Sequence, residues 1–258
     1  MLCELFSTVS RAWDGSFNVT LNYLLCVFTG AVTLHRAFVS PELVSSTSTA
    51  VCILSLVLAC VCFEVARRMD PGIVTRDSVP PHLLATDKFQ ICHQCNVPRC
   101  ERAFHCKLCG FCTSRFDHHC AYLNRCVARK NMPAFFAMLC LFEVYLVLGC
   151  RIVWATFDAD SPSHEVILML LCMFFQASFG LAVFLLLGGA IRRISINMTT
   201  YEITKPPTYF AGGNRFNLGV QENWAACFDQ WSHESSFYAP LPVQTALEAK
   251  IAAQIDAL

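Results

Sequence analysis

The chemistry in this 258-residue chain is concentrated between Cys92 and Phe135. Eight of its 17 cysteines lie there: Cys92, Cys95, Cys100, Cys106, Cys109, Cys112, Cys120 and Cys126, with His105, His118 and His119 among them. The Cys92/Cys95 and Cys106/Cys109 steps, and a further step to Cys112, have the short spacing of zinc knuckles. In such a turn two thiolates face one tetrahedral ion. The segment supplies enough ligands for two closed sites and still leaves Cys120 over. Cys120 directly follows Asp117, His118 and His119, so a thiol, an imidazole and a carboxylate are near neighbours. A free thiol with a pKa of about 8.5 is mostly protonated at neutral pH and needs a base before it can act as a nucleophile. His118 can take that proton and Asp117 can orient His118, the arrangement of an activated nucleophile. A metal ion close by would add fixed positive charge and lower the thiol pKa further.

Such a segment needs a scaffold, and the composition indicates which kind. The chain is 55% apolar with a mean hydropathy of +0.47 and a formal net charge of zero. It is too apolar for an average soluble domain, and its charge balance argues against nucleic acid as a partner. A cysteine-rich secreted scaffold would be small and would carry an export signal. The start, MLCELFSTVSRAWDGSF, has no long apolar run behind a basic stretch. Reduced thiols that hold metal are therefore expected.

Four apolar stretches approach the roughly 20 residues that a membrane-spanning helix needs. They are Phe17 to Val39, Thr49 to Ala66, Pro133 to Phe157 and Val166 to Ile191. The first is the most polar, with Asn22, His35 and Arg36. Glu143 in the third either faces the bundle interior or marks a functional site, since acids inside a bilayer are costly. Arg and Lys crowd the connection after the second stretch and the tail after the fourth, while PELVSSTS and DADSPSHE carry none. By the positive-inside rule the cysteine-rich loop and both termini are cytosolic. The fold expected is an all-α polytopic membrane protein with four transmembrane helices. Its parts are a cytosolic N-terminus (1–16), helices 1 and 2 (17–66), a cytosolic cysteine-rich zinc domain (67–132, core 92–132), helices 3 and 4 (133–191) and a cytosolic tail (192–258). The sequons at Asn18 and Asn197 then face the cytosol and stay unglycosylated.

Asp70-Pro71-Gly72 reads as a helix stop followed by a turn, and residues 78–88 as a linker. In the tail, Leu247, Ile251, Ile255 and Leu258 share one helical face, the pattern of a short amphipathic helix. No solenoid repeat and no glycine-rich phosphate loop is present. Cys100 and His93 read as a small core residue and a surface residue, or as spare ligands. The cysteines within the spans read as packing residues.

Asp117-His118-His119-Cys120, set in this frame, resembles the signature of the DHHC-type protein S-acyltransferases, or palmitoyltransferases. The likeness extends over Cys92-x2-Cys95, Arg99, Arg102, His105-Cys106-x2-Cys109-x2-Cys112, Asn124, Cys126-Val127, Asn131 and Phe135. It implies two interleaved structural zinc ions, one on Cys92, Cys95, His105 and Cys112, the other on Cys106, Cys109, His119 and Cys126. It also implies a ping-pong transfer in which Cys120 takes a long-chain acyl group from acyl-CoA and passes it to a cysteine of a membrane-associated protein. His118 and Asp117 assist, and the acyl chain lies between the spans. Arg129 and Lys130 are candidates for the CoA phosphates, or else are positive-inside anchors. Asn197-Met198-Thr199-Thr200-Tyr201-Glu202 resembles the family's Thr-Thr-x-Glu motif, and Asn214 to Gly219 with Asn223-Trp224 its C-terminal motif. Thr199, Thr200, Glu202 and Asn223 then form either a brace for the catalytic segment or a simple polar helix cap. The expected partners are the bilayer and cytosolic-face membrane proteins with acceptor cysteines, and an accessory subunit is compatible. The membrane is the Golgi, the ER or the plasma membrane.

The chain departs from the usual pattern at Ala121-Tyr122, where Pro-Trp is customary, and at Ala128, Arg125, Cys100 and Phe104. Tyr122 keeps an aromatic ring with a polar tip, suited to an interface. These departures leave room for a catalytically weak or inactive zinc-structured scaffold of the same fold. The intact Asp117, His118 and Cys120 speak against that reading. A membrane metal carrier would need facing acids or histidines at mid-membrane, and only Glu143 comes close.

Overall fold

The computed structural model describes residues 15–75, 90–99, 102–207, 210 and 212–228. The 78–88 linker, Cys100, most of the expected N-terminal segment and the C-terminal amphipathic stretch lie outside them. The described chain falls into two compact units.

The first unit is helical and is built from α1 (Gly15–Val39), α2 (Ser46–Arg68), α3 (Met132–Ala155) and α4 (Ser163–Ser195), whose α2, α3 and α4 ends run on into the second unit. Among the described residues, α2, α3 and α4 are long and apolar enough to cross a membrane. At 25 residues α1 has the length, but its Asn22, His35 and Arg36 lower its apolarity. Large side chains point outward, such as Leu54 and Val57 on α2 and Phe174, Leu181 and Leu185 on α4. In water so much exposed apolar surface would be a liability, whereas it suits hydrocarbon. Inside the unit, Cys52, Tyr145, Leu146 and Ile152 form one buried cluster. Val153, Met169 and Cys172 form another. Several polar groups here find one another, while Glu143 Oε2 and Gln176 Oε1 are buried without a hydrogen-bond partner among the described residues. The Thr29 and Tyr145 hydroxyls are 2.6 Å apart, and Gln176 Nε2 donates to Thr33 Oγ1 at 3.1 Å. Buried Arg36 donates to the Thr156 carbonyl and to Glu165. In an apolar phase a polar side chain without a partner is costly, so these pairs fix helix register.

The second unit holds the cysteine-rich segment, and here the all-α expectation needs correction. The segment folds as three antiparallel two-stranded hairpins, β1 (Gln90–Cys92) with β2 (Val97–Arg99), β3 (Phe104–Cys106) with β4 (Phe111–Thr113), and β5 (His118–Cys120) with β6 (Arg125–Val127). The physical reason is the turn. Placing two thiolates on one ion demands a tight reversal, which a continuous helix does not offer. Each reversal ends in a left-handed residue, Asn96 (φ 51°), Gly110 (φ 75°) or Asn124 (φ 49°). Asn and Gly are the residues that tolerate that conformation.

Two short helices complete the unit, α5 (Thr200–Thr204) and α6 (Val220–Phe228). The Asp70-Pro71-Gly72 step is the turn expected. Asp70 Oδ1 accepts from the Gly72 and Ile73 amides at 2.9 and 2.8 Å. The following strand-like residues then pair with β4, where Val74 N donates to the Cys112 carbonyl at 2.9 Å.

Candidate active site and metal centres

The hairpins repeat with a period the sequence reading missed. Their first strands begin at Gln90, Phe104 and His118, 14 residues apart, and their second strands at Val97, Phe111 and Arg125. Cys92, Cys106 and Cys120 therefore occupy one equivalent position, at which each chain enters its turn. Cys95 and Cys109 occupy the next ligand position, and Leu123 takes that place in the third hairpin. Successive strand residues point to opposite faces. His105 and Cys106 thus look opposite ways, and so do His119 and Cys120.

The ligand sets follow from that alternation. The first is Cys92 and Cys95 with His105 and Cys112, and the second is Cys106 and Cys109 with His119 and Cys126. Each takes a turn pair from one hairpin and a cross-strand pair from the next, since His105 faces Cys112 and His119 faces Cys126 in register. In the first set, His105 Nδ1 is 3.1, 3.7 and 3.8 Å from the sulfurs of Cys95, Cys92 and Cys112, and the Cys112 and Cys95 sulfurs are 3.9 Å apart. In the second, His119 Nδ1 is 3.2 and 3.6 Å from Cys109 and Cys106, and the Cys126 and Cys109 sulfurs are 3.4 Å apart. A tetrahedral zinc with bonds of about 2.3 Å to sulfur sets edges of about 3.8 Å. Both sets fit zinc in donor type and in spacing. No disulfide is seen among the described cysteines.

Cys120 is buried at 7% exposure and belongs to neither set. Its neighbour His118 shares a hydrogen bond with it. His118 Nδ1 lies 2.6 Å from Asp117 Oδ2. Burial opposes charge on this imidazole, but its hydrogen bonds to Asp117 and Cys120 outweigh burial and push its pKa up to about 9. Burial likewise opposes charge on Asp117. The His118 bond, with further help from Arg193 and the Thr200 amide, outweighs it and holds the carboxyl below its ordinary value. The three side chains the sequence reading grouped are therefore brought together on and beside β5.

The start of α5 holds Asp117 in place. Thr200 donates twice to the carboxylate, from its amide to Oδ1 and from its hydroxyl to Oδ2, both at 2.8 Å. The Tyr201 amide donates to the Asp117 carbonyl at 3.1 Å. A helix start has free amides and a favourable dipole, so it suits a carboxylate. Thr199 and Glu202 form the capping box of this helix, the reciprocal arrangement that satisfies two amides at once.

Glu202 also does more than cap. Fully buried, it forms a two-point ion pair with Arg102, Nε to Oε1 at 2.7 Å and an η nitrogen to Oε2 at 2.8 Å. Burial works against its ionisation, but Arg102 more than offsets this and its pKa is lowered. Arg102 donates further to the Asn197 side chain and carbonyl at 2.9 and 3.1 Å. Asn197 Nδ2 donates to the Phe216 carbonyl at 2.8 Å, and Asn223 Nδ2 to Asn217 at 2.7 Å and to the Ser195 carbonyl at 2.8 Å. Thr199, Thr200, Glu202 and Asn223 thus lie in one buried polar network that reaches Asp117. Arg102 and Asn197 are central to it. Both stood inside quoted motifs, but nothing local in the sequence tells of a bond across 95 or 100 residues. Asn131 is another such residue. It accepts from the Ala128 amide and donates to the Cys126 carbonyl, both at 2.8 Å, and so fixes the strand that carries a ligand.

The two basic candidates part company. Lys130 Nζ sits 2.8 Å from Asp70 Oδ2 in a half-exposed ion pair. Arg129 lines a small cavity with Arg115, Asp117, Arg193 and Cys227. Burial and the nearby Arg102 lower the Arg115 pKa to about 10.

Comparison with known proteins agrees with this geometry. Residues 85–206 match the family described as DHHC palmitoyltransferase. The chain is 28% identical over 148 residues to palmitoyltransferase ZDHHC15 of Xenopus laevis, covering 54% of this chain and 43% of that protein. It is 31% identical over 160 residues to palmitoyltransferase ZDHHC15A of Danio rerio, covering 56% and 46%. With the probable protein S-acyltransferase 6 of Arabidopsis thaliana it shares 25% identity over 268 residues, covering 86% and 62%. The matched region spans about half the length of these curated relatives.

Proposed function

We propose that this chain, whose residues 85–206 match the DHHC palmitoyltransferase family, is a protein S-acyltransferase acting through a thioester on Cys120. The acyl donor is a long-chain acyl-CoA such as palmitoyl-CoA. The acceptors are cysteine thiols of membrane-associated proteins on the cytosolic face. The observation that carries this reading is the hydrogen-bonded run from Asp117 through His118 to Cys120, which among the described hairpin thiols is the one outside both ligand sets.

In the proposed first step, Cys120 Sγ attacks the acyl-CoA carbonyl. Its proton passes to His118, whose Nδ1 is engaged by Asp117, so Nε2 receives it. The hydrogen bonds to Asp117 and Cys120 that raise the His118 pKa favour the imidazolium that this transfer creates. The carbon–sulfur bond to CoA breaks, and His118 returns the proton to the departing thiolate. The second step repeats the exchange with the acceptor thiol and regenerates Cys120. Asp117 stays ionised throughout and keeps the imidazole in one tautomer.

Two zinc ions on the Cys₃His sets are structural in this proposal. Closed four-ligand sites leave no open position for substrate, and zinc supplies the constraint that keeps β5 rigid. Thr199, Thr200, Glu202 and Asn223 are the brace behind Asp117. Arg129 and Lys130 are the candidates for the CoA phosphates, Lys130 from within its half-exposed pair with Asp70. The proposed topology has α1 as a fourth span, both termini and the hairpins in the cytosol, and residence in endomembranes (Golgi or ER) or the plasma membrane. An accessory subunit is compatible with it.

The test is autoacylation. Purified chain is incubated with labelled palmitoyl-CoA, native against Cys120→Ser, with equal zinc content as the folding control. Label on the native protein only, released by hydroxylamine, is the expected result. No label on zinc-loaded native protein would instead favour the inactive scaffold, for which the Ala121-Tyr122 departure is the one sequence argument.

A further inference from the structure

Glu143 lies inside the third apolar stretch, and the proposed transfer makes no use of it. It stands three turns into α3, about 16 Å from Met132, and half of a hydrocarbon core is about 15 Å. The carboxyl is therefore near the middle of any bilayer that α3 crosses, and α3 is long and apolar enough to cross one. Its Oε2 is buried and has no hydrogen-bond partner among the described residues. Hydrocarbon offers no donor either, so an acid left alone at that depth is costly.

The surface of α3 shows where a donor can come from. Leu139, Tyr145, Leu146, Ile152 and Val153 form its buried face, while Val147 and Trp154 are 55% and 71% exposed. Glu143 is half-covered at the border, one turn after buried Leu139 and one turn before exposed Val147. Cys140, Glu143, Val147, Cys150 and Trp154 succeed one another at alternating steps of three and four residues, and each is at least partly exposed. With that spacing a helix presents one continuous seam to a second helix. Cys140 and Cys150 are short side chains, beside which a neighbouring backbone can come close.

Charge decides what fits the seam. A second copy docked in the same membrane by the same seam would be related by a two-fold axis. It would set Glu143 against Glu143, like against like. A wholly apolar helix would leave the carboxyl as it is. A Lys or Arg within a membrane span has the opposite need, since it too is costly in lipid without a partner. We infer that the 140–154 seam of α3 docks a transmembrane helix of a partner protein that carries a Lys or Arg at the depth of Glu143. The pairing satisfies two groups that are each costly alone, and it sets the level at which the partner sits. Only the helical unit is involved, and the acyl transfer plays no part in it.

The experiment reconstitutes native full chain and E143L in lipid vesicles with a dye-labelled synthetic transmembrane helix of Leu and Ala that has one central Lys. A second peptide has Leu in place of that Lys, and a third has the Lys moved two turns toward one end. Association is read as energy transfer from a dye on the chain, titrated by mole fraction in lipid. Zinc content and melting temperature establish that each chain is folded. The native chain should bind the central-Lys peptide about tenfold more tightly than the Leu peptide, and E143L should cut that preference below about twofold. V147W keeps the carboxyl but fills the seam, so it should weaken binding of the central-Lys peptide at least about fivefold. If E143L does not fold, V147W decides, and unchanged binding refutes the docking. Equal binding of the Lys and Leu peptides by native chain would overturn the inference and leave Glu143 an acid covered by lipid. A preference that persists in folded E143L, or that survives moving the Lys by two turns, would overturn it too. Energy transfer between copies of the native chain, lost in E143L and without any Lys preference, would make the seam a contact between copies instead.

Discussion

Replacing Thr200 by Val tests the link between the buried network and the proposed reaction with the least disturbance. The side chain keeps its shape and β-branching, and the amide bond to Asp117 Oδ1 remains. What is lost is the 2.8 Å hydroxyl bond to Oδ2, the oxygen that also faces His118. A hydrogen bond to a charged group contributes about 1.5–3 kcal/mol. If all of it were needed to hold the carboxylate at the imidazole, acyl-enzyme formation would slow by about 10- to 150-fold. The amide bond and Arg193 remain, so the lower half of that range is expected. Thr200→Ser keeps the hydroxyl and should stay within about threefold of native. The assay is single-turnover formation of the hydroxylamine-sensitive thioester, with zinc content and melting temperature measured on the same samples. A Thr200→Val protein that forms thioester at the native rate, with native zinc, would refute the reasoning. The bond to Asp117 would then be a packing detail.

Other expectations follow from the same network and from the units around it. Arg102→Met leaves Glu202 charged and fully buried, and breaking a buried pair costs about 3–5 kcal/mol, which a thermal melt or denaturant titration of the second unit should show. His105→Ala and His119→Ala should each lower bound zinc from two ions per chain to one in metal analysis, and His119→Ala should also abolish thioester formation because its site anchors β5. Asp70→Asn weakens only a half-exposed pair with Lys130, so stability should fall by less than about 1 kcal/mol, a change at the edge of detection in melting temperature. Gly149→Ala should destabilise the helical unit, because an added Cβ would run into the buried Gln176 amide. A lower melting temperature in detergent is the readout, with Cys120 chemistry preserved in the protein that remains folded.

Much of the site was legible because its signal is local. The Cys-x-x-Cys steps, His105, His119 and the Asp117-His118-Cys120 run are short-range patterns, and the structure brings together both ligand sets that the family resemblance implied. Helix ends moved by a few residues. The apolar run Thr49 to Ala66 became Ser46–Arg68, and Val166 to Ile191 became Ser163–Ser195. Helices continue past the apolar stretch until caps or turns stop them, and the apolar count does not see this. The β-hairpins were missed because each strand is only three residues long, too short for any periodicity to register. The brace was legible through Thr199, Thr200, Glu202 and Asn223, while Arg102 and Asn197 pair with residues far along the chain. Arg193 reads in sequence as one more positive-inside residue. Its approach to Asp117 is a fact of three dimensions.

The 14-residue hairpin series places the proposed nucleophile in an unexpected lineage. Cys92, Cys106 and Cys120 occupy the same backbone setting, at the same step before the same kind of turn. The first two each stand with three other side chains that could hold a metal ion. The third hairpin has Leu123 where its predecessors have a second thiol, so no comparable set closes around Cys120. Reactivity here is then a question of coordination number rather than of residue type. Four donors around a cation make a strut, and a single donor in the same mould makes a reagent. Soft metal ions and oxidants, which seek under-coordinated sulfur, would accordingly find Cys120 first and the knuckles last.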